Sequence, residues 1–222
     1  MIRELKTDFE FKDRRTYVHS STMIRELTRQ IYENYYPEGK WNDPKVDAKF
    51  HKTVLHNGVF KLSENQSDLN DCDLANTTFC FFDDNQSISA AFHENEDIGV
   101  DRRIKTNYTV DSIALEKKFS GSCKIGCLSK ESFVENVIEA NKRIHLLTVE
   151  DRNCDVEVIN LYMRKFPVSL PVNVSIDYGK LLLNIENISS RQLDKSIVTL
   201  NSFSFPELDI DHFEMSFIMK EI

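Results

Sequence analysis

Nine carboxylates, Glu64, Asp68, Asp71, Asp73, Asp83, Asp84, Glu94, Glu96 and Asp97, fall between Leu62 and Val100 with no lysine or arginine among them. Clustered carboxylates can bind a hard cation through oxygen ligands, or present a negative field that attracts a basic partner. The first needs oxygens at alternating positions, which Asp68-x-Asn70-Asp71-x-Asp73 offers. The glycine and the distal glutamate of an EF-hand loop are missing, so neither calcium nor any other metal is assigned. The second needs only charge. This stretch carries −9 where the whole chain of 222 residues carries −8, leaving about +1 for everything else. These nine residues are therefore the candidate partner-binding set, matched to a protein partner with a basic surface.

Other reactive residues are dispersed. Glu116-x-Lys118, preceded by Asp101 or Asp111, resembles the acid-acid-lysine arrangement of restriction-type nucleases, in which two acids hold Mg²⁺ near the scissile phosphate. The acidity of the chain disfavours direct nucleic-acid binding. His19 followed by Ser20, Ser21 and Thr22 pairs a base with hydroxyls on paper, although helix capping accounts for the hydroxyls. Cys123 and Cys127 sit four apart on an expected strand, roughly 13 Å along it and too far for one metal. The six histidines show no HxH or HxxxH spacing, and neither a phosphate-cradling nor a dinucleotide-binding glycine motif is present. No cofactor is assigned, and no catalytic residue.

Composition narrows the class. With 41% hydrophobic and 29% charged residues and 15 Phe, the chain has material for a large core. Six Gly and five Pro leave little for flexible linkers. Five cysteines without a CxxC pair suit a reducing compartment, the N-terminus has no apolar signal region, and no run approaches the length of a membrane span. A cytoplasmic protein without a membrane partner is the expectation. High Asn, Ile, Lys and Phe with low Ala and Gly would fit an AT-rich gene, such as one belonging to a bacterial defence or mobile-element complex.

Two helices must position all of this. Ile24, Leu27, Ile31 and Tyr35 recur at helical spacing after the Ser20–Thr22 cap, and Pro37 and Gly39 end the run. Phe133, Val134, Val137, Ile138 and Ile144 build a second stripe, capped by Ser129. Around them the pattern predicts strands: short ones between Asp8 and His19, a hairpin turned by Asn57-Gly58, and a Phe-rich hairpin over 77–82 and 87–92 with its turn at 83–86. Further strands are expected over 104–113, 115–127, 144–149, 156–166, 172–176, 180–188, 197–205 and 212–220, with a tight turn at Asp177-Tyr178-Gly179. Trp41 reads as an aromatic plug in a loop.

The fold class is thus α+β, two main helices packed on predominantly antiparallel sheets, with lobes at 1–113, which includes the acidic hairpin segment 62–100, and 114–222. Strands, a Ser-capped helix and more strands occur twice, and in element order this resembles a doubled hot-dog arrangement. The expected role is a non-catalytic accessory or adaptor subunit that binds a larger protein. The alternatives are a hot-dog-type acyl thioesterase or dehydratase, and a metal-dependent nuclease.

Overall fold

In this computed structural model residues 2–34, 41, 44–69, 74–126, 130–149, 156–168, 180–208, 210 and 212–221 are described. The chain divides into two compact units, Met1–Asn107 and Tyr108–Ile222. The first contains strands β1 (Arg3–Lys6) and β2 (Glu10–Lys12), helix α1 (Ser20–Asn34), and strands β3 (Lys45–Phe50), β4 (Gly58–Ser63), β5 (Thr77–Phe82), β6 (Ser87–Glu94) and β7 (Arg102–Ile104). The second contains β8 (Val110–Lys117), β9 (Ser120–Gly126), α2 (Lys130–Val149), β10 (Val156–Pro167), β11 (Lys180–Leu193), β12 (Ser196–Ser204) and β13 (Phe213–Glu221).

Both units follow one plan. In the first, the antiparallel strands run in the order β1-β4-β6-β5-β3, while β2 and β7 form a separate parallel pair. In the second the order is β10-β13-β12-β11-β9-β8, again antiparallel. The last strand of the antiparallel order before each helix (β1, β9) lies beside the second strand after that helix (β4, β11), and the first strand after it (β3, β10) stands at one end of the order. The middle pair differs: β12 and β13 follow β11 as a meander, whereas the chain passes from β4 to β5 and returns through β6. An antiparallel sheet with one face on a helix gives a burial period of 2. β12 shows it, with Ile197, Thr199, Asn201 and Phe203 pointing inward.

Phenylalanine fills both cores. In the first unit Phe9, Phe60 and Phe92 pack with ring centroids 5.2 to 6.1 Å apart, and Phe60 also meets Phe79 at 5.8 Å. Trp41 is the plug expected of it, edge-on to Phe81 at 4.8 Å. Helix α1 buries Ile24, Leu27 and Ile31, as read from their spacing, together with Met23. In the second unit Phe213 is stacked on Phe203 at 5.1 Å and edge-on to Phe166 at 5.3 Å. Aromatic pairs of this kind contribute about 0.5–1.5 kcal/mol beyond the area they bury.

Several local expectations are corrected. Asn57-Gly58 does not turn a hairpin, because β3 pairs with β5 while β4 pairs with β1 and β6. The glycine is required by close approach: a Cβ at Gly58 would lie 2.1 Å from the His93 carbonyl oxygen. The Asn57 side chain is a buried staple that accepts the Phe9 N–H at 2.6 Å and donates to the Gly99 carbonyl at 2.8 Å. Residues 144–149 are not a strand but the end of α2, whose apolar positions satisfy both periods over so short a run. β1 is formed by Arg3–Lys6, where charged residues hid it. Residues 172–176 and the turn at 177–179 lie outside the described residues, as do Tyr35, Pro37, Gly39, Ser129 and Cys127.

Asn57→Ala strands the buried Phe9 N–H, so it is expected to lower stability by about 1–3 kcal/mol. Urea unfolding of the full chain, read as a shift in midpoint at constant slope, checks this.

Candidate functional site

Three of the seven described carboxylates of the acidic stretch are engaged within its own loops. Glu94 is the hub: Oε1 accepts the His56 N–H at 2.6 Å, the Leu55 N–H and the His56 ring Nδ1 at 3.1 Å, and Oε2 accepts the Asn76 amide at 3.1 Å. Asp83 folds its turn by accepting the Asn85 and Gln86 N–H groups at 2.8 and 3.0 Å. Asp68 accepts the Ser63 hydroxyl at 3.0 Å. Glu64, Asp84, Glu96 and Asp97 are exposed, and Asp71 and Asp73 lie outside the described residues. The cations that follow in sequence turn elsewhere, Arg102 to Asp8 at 2.8 Å and Arg103 to the carbonyls of Asp13 and Arg15. Likewise Asp111 is paired with Lys180 at 2.7 Å, and Glu116 and Lys118 are exposed around the end of β8. Among the described residues no three His, Cys, Asp or Glu side chains are grouped to hold a metal ion.

Chemistry is instead concentrated on the buried faces of the helices. In the second unit α2 places Asn141 and His145 one turn apart, both with no exposed surface. β12 sets Thr199 and Asn201 opposite them at successive inward positions. The His145 Nδ1–H donates to the Asn141 carbonyl at 2.8 Å, and Nε2 accepts the Thr199 hydroxyl at 2.7 Å. The first bond fixes the tautomer and leaves Nε2 bare of a proton. The ring lies between Phe119, stacked at 5.2 Å, and Phe217 at 5.5 Å. Burial pushes its pKa down to about 4, against the opposing hydrogen bond to Asn141. The imidazole is therefore neutral at physiological pH.

Amides complete the cluster. Asn201 Nδ2 donates to the Phe119 carbonyl at 2.9 Å and to Asn141 Oδ1 at 3.2 Å, and its own Oδ1 accepts from Asn187 at 2.9 Å. The Asn141 Nδ2 group is buried without a hydrogen-bond partner among the described residues. Phe119 holds a left-handed backbone at φ 61°. It is the second residue of the two-residue turn joining β8 to β9, where a positive φ reverses the chain. Nothing flagged this cluster in the sequence except polar residues at inward positions: 199 and 201 on a strand, 136, 141 and 145 on a helix. Taking 144–149 as a strand hid His145.

The first unit has its own polar cluster at the start of α1. Lys12 is fully buried and donates through Nζ to Ser21 Oγ at 2.7 Å, and the His19 ring Nδ1 lies 2.9 Å from the same oxygen. The helix carboxylates are engaged with arginines instead, Glu26 with Arg29 at 2.7 Å and, on α2, Glu139 with Arg143 at 3.0 Å.

No protein-family model matches the chain, and no curated protein does. Solved structures match it in fold along its length. The dehydratase domain from the CurJ module of the curacin polyketide synthase is 10% identical, with 100% of this chain and 91% of that one covered at a TM-score of 0.52. An inactive mutant of the CurJ dehydratase bound to a compound matches at 9% identity over 100% and 91%, also with a TM-score of 0.52. A proposed oleoyl thioesterase from Lactobacillus plantarum is 7% identical over 100% and 97%, at a TM-score of 0.49. The fold is a double hot-dog. The expectation of a non-catalytic adaptor subunit is thereby corrected: the solved structures that share the fold are dehydratase domains, the kind of protein named as its alternative. Among the described residues no helix is long and apolar enough to cross a membrane.

Because His145 titrates near 4 when folded and near 6.5 when unfolded, the unfolded chain binds the extra proton first as pH falls. The contribution is complete above pH 6.5 and lost toward pH 4. It amounts to on the order of 3 kcal/mol in all. Urea midpoints measured from pH 7 to pH 4.5 should decline, and His145→Gln should flatten that slope.

Proposed function

We propose that this double hot-dog protein is an acyl-thioester enzyme whose reaction is hydrolysis of the thioester bond. The observation that carries the reading is the unpartnered Asn141 amide, buried one helical turn from a neutral His145 whose Nε2 is bare of a proton. An orphaned donor in a dry site is costly to leave unmade, and a thioester carbonyl oxygen is the acceptor it lacks. The fold likeness to dehydratase domains supports acyl thioesters as the substrate class.

In this reading the carbonyl oxygen accepts from Asn141 Nδ2, where charge gathers as the tetrahedral species forms. His145 Nε2, released from Thr199, takes a proton from the attacking water. The new C–O bond forms, the C–S bond breaks, and the thiolate leaves with the proton carried by His145. Phe119, Asn201 and Thr199 hold the imidazole and the amide in place. Among the described residues the cluster has one base, amide and hydroxyl donors, and no carboxylate, which suits a reaction that needs one proton relay and one oxyanion donor.

Dehydration of a 3-hydroxyacyl thioester is the second reading, favoured by the match to dehydratase domains at a TM-score of 0.52. There His145 would remove the C2 proton while a separate acid protonates the leaving hydroxyl.

Incubating the purified chain with saturated and 3-hydroxyacyl coenzyme A esters separates the two. Thiol release reports hydrolysis, and loss of one water by mass reports elimination. The expected result is thiol release, lowered about 10²-fold or more in His145→Gln and by a similar factor in Asn141→Ala. Water loss without thiol would move the assignment to the second reading. Neither signal on any chain length would remove both.

A further inference from the structure

The hydroxyl of Ser21 stands in an arrangement that helix capping does not require. A capping serine lends its oxygen to backbone N–H groups of the first turn. Here the helix starts after His19, whose carbonyl accepts the Thr22 and Met23 N–H groups at 2.9 and 3.2 Å, so Ser21 stands inside the first turn and not at the cap. Ser21 Oγ instead lies between a cation and a base. Lys12 Nζ donates to it at 2.7 Å, and His19 Nδ1 is 2.9 Å away on another side. The direction of the second bond is set by the backbone. The Ser21 N–H also points at His19 Nδ1, at 3.4 Å, so that nitrogen is the acceptor and the hydroxyl is the donor.

The hydrogen bonds therefore run from Lys12 to Ser21 and from Ser21 to His19, the polarity of an activated alcohol. The imidazole is placed to receive the proton, and an ammonium in a dry setting stabilises the oxygen anion left behind. Ser21 is also the second residue of α1, at the positive end of the helix. Lys12 is held by the chain itself, ending β2 just before Asp13, whose backbone is left-handed at φ 55° and whose carboxylate is fixed by the Thr106 N–H at 3.0 Å and by its hydroxyl. His19 is half-buried, while Lys12 and Ser21 are buried.

We propose that Ser21 is an acylatable nucleophile, with His19 as its base and Lys12 as the cation stabilising its alkoxide, acting on activated acyl groups. The site belongs to the first unit and does not depend on the reading given to His145. As the Oγ–C bond forms, the hydroxyl proton passes to His19 Nδ1. The tetrahedral species then collapses, the bond from carbonyl carbon to leaving group breaks, and the leaving thiolate or alkoxide takes that proton. Water, deprotonated by the same nitrogen, releases the acid and restores Ser21.

A fluorophosphonate probe tests this on the intact chain, because it captures an activated serine without needing the natural acyl group. Peptide mass mapping should place one adduct on Ser21, absent from Ser21→Ala and from the urea-denatured protein. His19→Gln, at a half-exposed position where folding is expected to survive, should slow labelling at least tenfold, as should Lys12→Met if its circular dichroism is native. Thiol release attributed to His145 should persist in Ser21→Ala, so the two assignments fail separately. No adduct in the folded chain, an adduct on Ser20 instead, equal labelling of the denatured chain, or an undiminished rate in His19→Gln each overturns the proposal.

Discussion

A helix packed against a sheet in each unit has few directions left for polar side chains, and the fold is governed by that constraint. In α2 the residues Phe133, Val134, Asn136, Val137, Ile138, Ala140, Asn141, Ile144 and His145 are all buried. Each polar group among them must therefore find a partner inside, since an unpaired buried donor or acceptor costs about 1–3 kcal/mol. Asn136 meets the rule by accepting the Thr109 N–H at 2.9 Å and donating to the Gly126 carbonyl at 2.7 Å. His145 meets it through Asn141 and Thr199. The Asn141 amide nitrogen does not meet it, and this exception among the described residues of α2 draws attention to the second unit's interior.

The same constraint separates the polar groups of this protein into two sets. Carboxylates at loop ends are used as local staples, and Glu94 is the clearest of them, joining β6 to the segment before β4 and to Asn76. Such bonds to backbone N–H groups are charge-assisted and order the loops without a partner protein. The groups capable of chemistry, by contrast, are removed from water: Lys12, Asn141 and His145 have no exposed surface. Part of the negative segment thus ties its own loops, while the helices carry the buried groups capable of chemistry.

Duplication without identity is the third consequence. The two units place the strands before and after their helices in corresponding positions, yet exchange the order of the middle pair. Their buried polar residues also differ, a lysine and a serine beside a half-buried histidine at the start of α1 against amides and a histidine in the second half of α2. Side chains that specify a sheet-on-helix frame need only be apolar at the right spacing, so the frame can persist while the polar residues inside it change.

Much of the frame was legible in the residues alone. The stripe of Ile24, Leu27 and Ile31, the Phe-rich hairpin around 83–86 and the alternation in β12 and β13 state helix and strand directly, because periods of 3.6 and 2 are local properties of the chain. The α+β class, the antiparallel sheets and the doubled hot-dog order followed from them. Three things were settled only by tertiary structure. Asn57-Gly58 reads as a turn by composition, yet the approach of His93 from a strand far along the chain is what demands the glycine. The run 144–149 suits helix or strand equally, and packing of α2 decides it. The candidate sites depend on pairs such as His145 with Thr199 and Lys12 with Ser21. Their separation in sequence carries no signal, since only the folded backbone brings those atoms within hydrogen-bond reach.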